Sequence, residues 1–164
     1  MASGNVLCIL KPQDNEPPAA SFATLDTRAD VPVLDFDASA SESAEFGFVL
    51  PHNYNGGGIT VTVVWMASTA TSGDVVWDIA FKSFTDDADD LDSKAYATAN
   101  TATETTSSAS GEMKYTDVTF TDGAQIDSVA LREYCRLKVT RDVSDAADTM
   151  SGDAELVAII IKET

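Results

Sequence analysis

The stretch AELVAIIIKET, residues 154–164, decides the fold. A β-strand sends successive side chains to opposite sides, so Leu156, Ala158 and Ile160 fall on one face and Val157, Ile159 and Ile161 on the other. Both faces are apolar until Lys162. A strand that closes a one-sided sheet needs apolar residues only at alternate positions, so this one predicts cover on both sides. The reading places Leu156, Ala158 and Ile160 in the domain's own core. Val157, Ile159 and Ile161 then lie beneath a second apolar layer, supplied by another strand, by the N-terminal segment folding back, or by a neighbouring subunit.

Working outward, the preceding segments repeat the strand signature at short intervals. Cys135, Leu137 and Val139 alternate with Arg136, Lys138 and Thr140, and Val118 and Phe120 alternate within KYTDVTFTD. Farther upstream, Ile59, Val61, Val63 and Trp65 share one parity, as do Val75, Trp77, Ile79 and Phe81. These last two segments, joined by STATSGD, read as a hairpin that brings the two tryptophans together. Phe46, Phe48 and Leu50 precede them, and Val33, Leu34 and Phe36 come earlier still. The acidic and Ser/Thr-rich stretch from Thr85 to Glu112 reads as a strand plus a long exposed loop. Ala124–Arg132 reads as a helical turn closing one end through Ile126, Val129 and Leu131. No sustained 3.6-residue period interrupts this pattern. The prediction is an all-β antiparallel β-sandwich, a jelly roll of about eight strands.

A chain of 164 residues and 17.3 kDa, 44% hydrophobic, suits one such domain. Residues 1–21 read as an extended N-terminal arm, in which Val6, Cys8 and Leu10 form a short strand and Pro12, Pro17 and Pro18 exclude helix. Residues 22–164 form the body. The formal charge of -17 repels phosphate backbones and anionic lipid, so nucleic acid and membrane surfaces are not expected partners. The N-terminal apolar run is short and lacks a basic stretch before it, against a secretory signal. Cys8 and Cys135 stand outside any C-x-x-C pair and read as free thiols.

Motifs for chemistry are sparse, and no cofactor and no catalytic residue is predicted. His52, the only histidine, lies in the turn PHNYNGGG with no serine elbow to serve. Asp86, Asp87, Asp89, Asp90 and Asp92 are the best calcium candidates, since hard oxygen ligands crowd one loop. They fail the EF-hand pattern and read better as a solvated loop. Asp142, Asp145, Asp148 and Asp153 carry the same ambiguity. Trp65, Trp77, Tyr54 and Tyr115 could build a sugar-stacking platform, but both tryptophans have inward parity, which leaves Tyr54 as the expected exposed ring.

The segments ATLDTRADVPVLDFD, FGFVLPHNYNGGGITVTVVW, SGDVVWDIAF, YCRLKVTRD and DTMSGDAELVAIIIKET resemble jelly-roll virion proteins of tailed bacteriophages, some of which are capsid cement or decoration proteins. The resemblance spans nearly all of the chain after Phe22 and rests on strand and turn patterns. It implies a β-sandwich, commonly a homotrimer, on the capsid surface of a virion, made in the host cytoplasm and bound to the major capsid protein. The interface would then be Val6, Cys8 and Leu10 of the arm with Val157, Ile159 and Ile161. The expected function is accordingly a structural, non-enzymatic cement. The alternative is a trimeric tail-fibre or tail-spike tip that binds receptor glycans, with Tyr54 and the acidic loop as contacts. A calcium-dependent carbohydrate-binding module of a secreted enzyme is a third class, disfavoured by the missing signal.

Overall fold

The apolar alternation of the sequence is realised, among the described residues, as ten strands. They are β1 (Val6–Leu10), β2 (Thr24–Arg28), β3 (Val31–Phe36), β4 (Glu42–Val49), β5 (Ile59–Ala67), β6 (Asp74–Phe84), β7 (Asn100–Thr105), β8 (Lys114–Phe120), β9 (Tyr134–Arg141) and β10 (Ala154–Glu163). The structure is a computed structural model and describes residues 4–164. The first three residues of the expected arm lie outside the described residues.

All strand pairs are antiparallel. One sheet runs β2-β3-β10-β5-β8, with β1 also on β10, and the other runs β4-β9-β6-β7. The pairs β6·β7, β5·β8, β4·β9 and β3·β10 nest one inside the next, as in a hairpin rolled over on itself. That wrapping makes β3 to β10 an eight-strand jelly roll. β1 and β2 are additions to the first sheet.

Inward parity is as the sequence predicts for most strands. Trp65, Trp77, Ile59, Ile79, Leu137, Val139 and Phe46 are all fully buried between the sheets. The expected β5–β6 hairpin is corrected: the two strands lie in opposite sheets, so the loop 68–73 crosses the sandwich. Trp65 and Trp77 therefore meet across the core, centroids 5.8 Å apart at 66°. Phe36 stands edge-on to Trp77 at 5.1 Å. Such edge-to-face pairs add about 0.5–1.5 kcal/mol beyond area burial. The Trp65 indole N–H donates to Thr116 Oγ1 at 2.9 Å, satisfying the polar edge of a buried ring. A 3-10 turn at Ala124–Ile126 covers one end, burying Ile126 and Val129 and leaving Leu131 exposed.

The terminal strand is corrected in its phase. Its pairing with β5 shifts register between Leu156 and Ala158, a bulge centred on Val157. An extra residue in one strand resets which side the following side chains face. Ala154, Leu156, Ile159 and Ile161 consequently line the core, while Val157 and Ile160 face outward. Ile159 and Ile161, expected beneath a second layer, are fully buried in the domain's own core.

β1 pairs along the second half of β10, matching Ile9 with Ile160 and Leu10 with Ile159. Leu7 and Leu10 enter the core, Cys8 packs against it, and Val6 and Ile9 remain exposed. The segment then crosses to the other sheet. The Glu16 N–H donates to Glu45 O at 2.7 Å, and the Ser43 N–H donates to Ser21 O at 2.8 Å. The N-terminal segment is thus extended, as expected, but laid along its own domain, lacing β10 of one sheet to β4 of the other.

Candidate binding site

On the outer face of the four-stranded sheet, the register aligns Val49, Tyr134 and Phe84 in one row, with Gly47, Arg136 and Lys82 in the next. The inward parity of Cys135 and Ser83 forces Tyr134 and Phe84 outward. Their rings lie 5.6 Å apart, tilted by 34°, a shallow aromatic platform. Gly47 makes the platform lie low: a Cβ there would run into the Tyr134 phenol.

The platform is one wall of a groove of about 570 Å³, completed by Thr85, Asp86 and the backbone turn from Ala130 to Glu133. Arg132 in that turn has φ +69°, the left-handed region, which is unusual for a side-chain-bearing residue and turns the chain back toward β9. Its main chain is fixed there by the Arg132 N–H donating to Leu50 O at 3.1 Å. The Glu133 carboxylate accepts from the Ala130 N–H at 2.9 Å, tightening the same turn.

Beside the groove, Lys82 Nζ sits 5.5 Å above the Phe84 ring and 4.6 Å from that of Tyr96, a pair of cation–π contacts. The Tyr96 hydroxyl reaches across the sheet to donate to Glu45 Oε2 at 2.7 Å, and Arg136 Nη2 donates to the same oxygen at 3.0 Å. Arg136 also pairs with Glu16 of the N-terminal segment. Burial, reinforced by the bond to Glu45, pushes the Tyr96 phenol above its usual range, so it remains a donor. The result is a flat apolar surface edged by fixed polar groups.

The sequence-predicted residues fall elsewhere. Tyr54 is 6% exposed, its hydroxyl donating to Gly57 O and accepting from the Gly57 N–H to hold the glycine turn, so it is no contact ring. Trp65 and Trp77 are core. Tyr115 is exposed, but on the opposite sheet. His52 lies in the exposed turn after Leu50. The acidic loop supplies Asp86 to the groove, while Asp89 accepts from the Thr85 N–H and pairs with Lys94, and Asp90 accepts from the Asp92 N–H. Asp87 bends the loop at φ +55°. Among the described residues, no three carboxylate, histidine or cysteine side chains converge on a metal position.

The second acidic group is structural. Fully buried Arg141 takes both oxygens of Asp148, at 3.1 and 2.9 Å, and donates to the carbonyls of Met150 and Gly152 at 2.6 and 2.8 Å. Asp142 and Asp145 close the turns before it, and Asp153 accepts from the Ala38 N–H.

No family model matches the chain. No curated protein matches it either. Among solved structures, it is similar to the CBM35 of Cellvibrio japonicus Abf62, at 9% identity over 99% of this chain and 95% of that one, with a TM-score of 0.46. It is likewise similar to TmCBM27, a mannan-recognising carbohydrate-binding module, at 8% identity, 99% and 100% coverage and a TM-score of 0.46. A third is the CBM22-2 xylan-binding domain of Paenibacillus barcinonensis Xyn10C, at 11% identity, 96% and 99% coverage and a TM-score of 0.39. The jelly roll assigned above rests on strand order and does not depend on these likenesses.

The expected capsid-cement function is corrected. The solved structures named above are carbohydrate-binding modules, none of them a capsid protein. Two parts of the interface expected for a cement are also engaged within the chain: β1 pairs with β10 of its own domain, and Ile159 and Ile161 lie in its own core.

Proposed function

We propose that the chain is a glycan-binding module that acts by binding and carries out no turnover. The observation that carries the reading is the Tyr134–Phe84 platform walled by Asp86, Arg132 and Glu133. A pyranose ring has a flat face of C–H groups and a rim of hydroxyls, each both donor and acceptor. Aromatic faces take the first, and carboxylate and guanidinium groups take the second by paired hydrogen bonds. The carbohydrate-binding modules similar in structure, which include proteins described as recognising mannan and binding xylan, agree with this class of ligand. On this reading, the resemblance to phage virion proteins is to one that meets a host glycan.

The test is a glycan array with the full chain, followed by calorimetry on each hit with the wild type and Tyr134→Ala. Millimolar to micromolar binding, weakened at least about tenfold by the substitution, is the expected outcome. An array without hits, or hits indifferent to Tyr134, would sink the proposal.

A further inference from the structure

Positive charge is scarce in this chain and gathers beside the Tyr134–Phe84 platform. Lysines and arginines number 10, against 27 carboxylates. Most of them form ion pairs within the chain. Among the described residues the ones that form none are Lys11, Lys82, Arg132 and Lys138, and all but Lys11 lie at the platform face or its groove.

Their placement works against the fold. Lys82 and Arg136 stand directly opposite each other across β6 and β9, where like charges repel. Arg136 is compensated by Glu16 and Glu45, but Lys82 is held only by the faces of Phe84 and Tyr96. On the other side of the rings, exposed Arg132 occupies a left-handed position that glycine or asparagine would fill with less strain. The local carboxylates are largely engaged: Glu16 and Glu45 by Arg136, and Glu133 by the Ala130 N–H, which leaves Asp86 in the groove.

We propose that the glycan taken by the platform is acidic, a chain of uronic-acid type whose carboxylates meet Arg132 on one side of the rings and Lys82 on the other. This rests on the platform being a glycan site. A sugar stacked on Tyr134 and Phe84 turns its substituents outward to its rim. There the planar guanidinium of Arg132 can take a carboxylate through two parallel hydrogen bonds, and the Lys82 ammonium acts as a point charge. Asp86 then accepts from hydroxyls. A neutral sugar would make no use of the two cations or of their unfavourable placement. The formal charge of -17 opposes an acidic ligand only at a distance, because at physiological ionic strength the field decays over about 8 Å and contact pairs govern.

The test is an array of galacturonate, glucuronate and mannuronate oligosaccharides beside neutral and sulfated ones. Calorimetry on the full chain then compares each carboxylated hit with its methyl ester, which keeps the ring and removes the charge. The acid is expected to bind at least about tenfold more tightly than the ester. That preference should shrink at least about threefold in Lys82→Met and in Arg132→Gln, with far-UV circular dichroism checking that each variant keeps the sheet signal. The comparison of acid with ester needs no variant, so it stands even where a substitution disturbs the fold. Hits confined to neutral or sulfated sugars, equal binding of acid and ester, or a preference that either substitution leaves intact overturns the proposal. If such hits are still lost in Tyr134→Ala, glycan binding at the platform stands without it. An array with no hits removes both.

Discussion

Tyr134 on β9 packs against Gly47 of the neighbouring strand β4, where only a hydrogen atom stands between the phenol and the backbone. The glycine lowers the ring onto the sheet and sets its tilt toward Phe84. Gly47→Ala places a methyl group where the phenol lies, and the phenol, as the free end of a side chain, can swing away. The fold should yield by about 1 kcal/mol or less. Glycan affinity should fall roughly tenfold as the platform lifts. Thermal melts and calorimetry check the two halves separately, and unchanged affinity would place the ligand elsewhere.

Arg141 and Asp148 hold the turn between β9 and β10 from inside the molecule. Removing one partner of a buried pair leaves the other charge without compensation, at a cost of about 3–5 kcal/mol. Arg141→Met should therefore lower the melting temperature by roughly 10 °C, given about 2–4 °C per kcal/mol for a domain of this size. The carbonyls of Phe36, Met150 and Gly152 lose their donor as well. A melting temperature within a few degrees of wild type would show that the turn holds without its staple.

Asp35 faces Asp153, Glu155, Asp26 and Glu42, and burial followed by those charges pushes its carboxyl up to about 6 from the usual 3.8. One of its oxygens is buried without a hydrogen-bond partner. A folded pKa above the unfolded one means that the folded state binds more protons between those values, so stability rises as pH falls from 7 toward 4. The effect reverses at lower pH, where Asp37, Asp89 and Asp142, held below their usual range by hydrogen bonds, must protonate. Asp35→Asn should stabilise the protein at neutral pH by up to about 1 kcal/mol, since the group is partly solvated, and should flatten the rise. Denaturant melts at several pH values measure it. A variant that keeps the wild-type pH profile would refute the assignment.

Both cysteines are free, but they should react differently. Burial, then the nearby Glu133 carboxylate, pushes the Cys135 thiol up to about 12, and burial also raises Cys8, which is only half-buried. Because the thiolate is the nucleophile, a disulfide reagent at about pH 8 should titrate at most Cys8 in the native protein and both thiols after denaturation. Rapid reaction of Cys135 in the folded state would contradict its placement.

Parity was the legible part of this fold. Alternation alone puts Trp65, Trp77, Leu137 and Val139 inside, and the strand count implies the roll. Sheet membership was not legible, because the loop between β5 and β6 serves a hairpin or a crossing equally well, and only the partner strands β8 and β9 decide. The bulge at Val157 was hidden for a different reason: from Leu156 to Ile161 every residue is apolar, so a one-residue phase change leaves no polar residue out of place. The platform did leave a signal, since the parity that buries Cys135 exposes Tyr134, and the parity that buries Phe81 and Ser83 exposes Phe84. An aromatic residue at an outward position is the mark that could have found the site, whereas Tyr54 is distinguished only by its glycine-rich surroundings.

The place of β10 also governs the order in which the molecule can form. It is the last of the ten strands to be synthesised, yet it joins β1 and β3 on one edge to β5 on the other. Until it emerges, β3 and β5 have no common neighbour, and the first sheet exists only as separated edges. The inner pairs β6·β7 and β5·β8 can form early. The outer wrap waits for pairings that span nearly the whole chain, such as Val6 with Lys162. Closure of such distant segments is slow, so during translation the apolar strip at Ile59–Ala67 stays open on one side, and the domain is most vulnerable to aggregation just before β10 arrives.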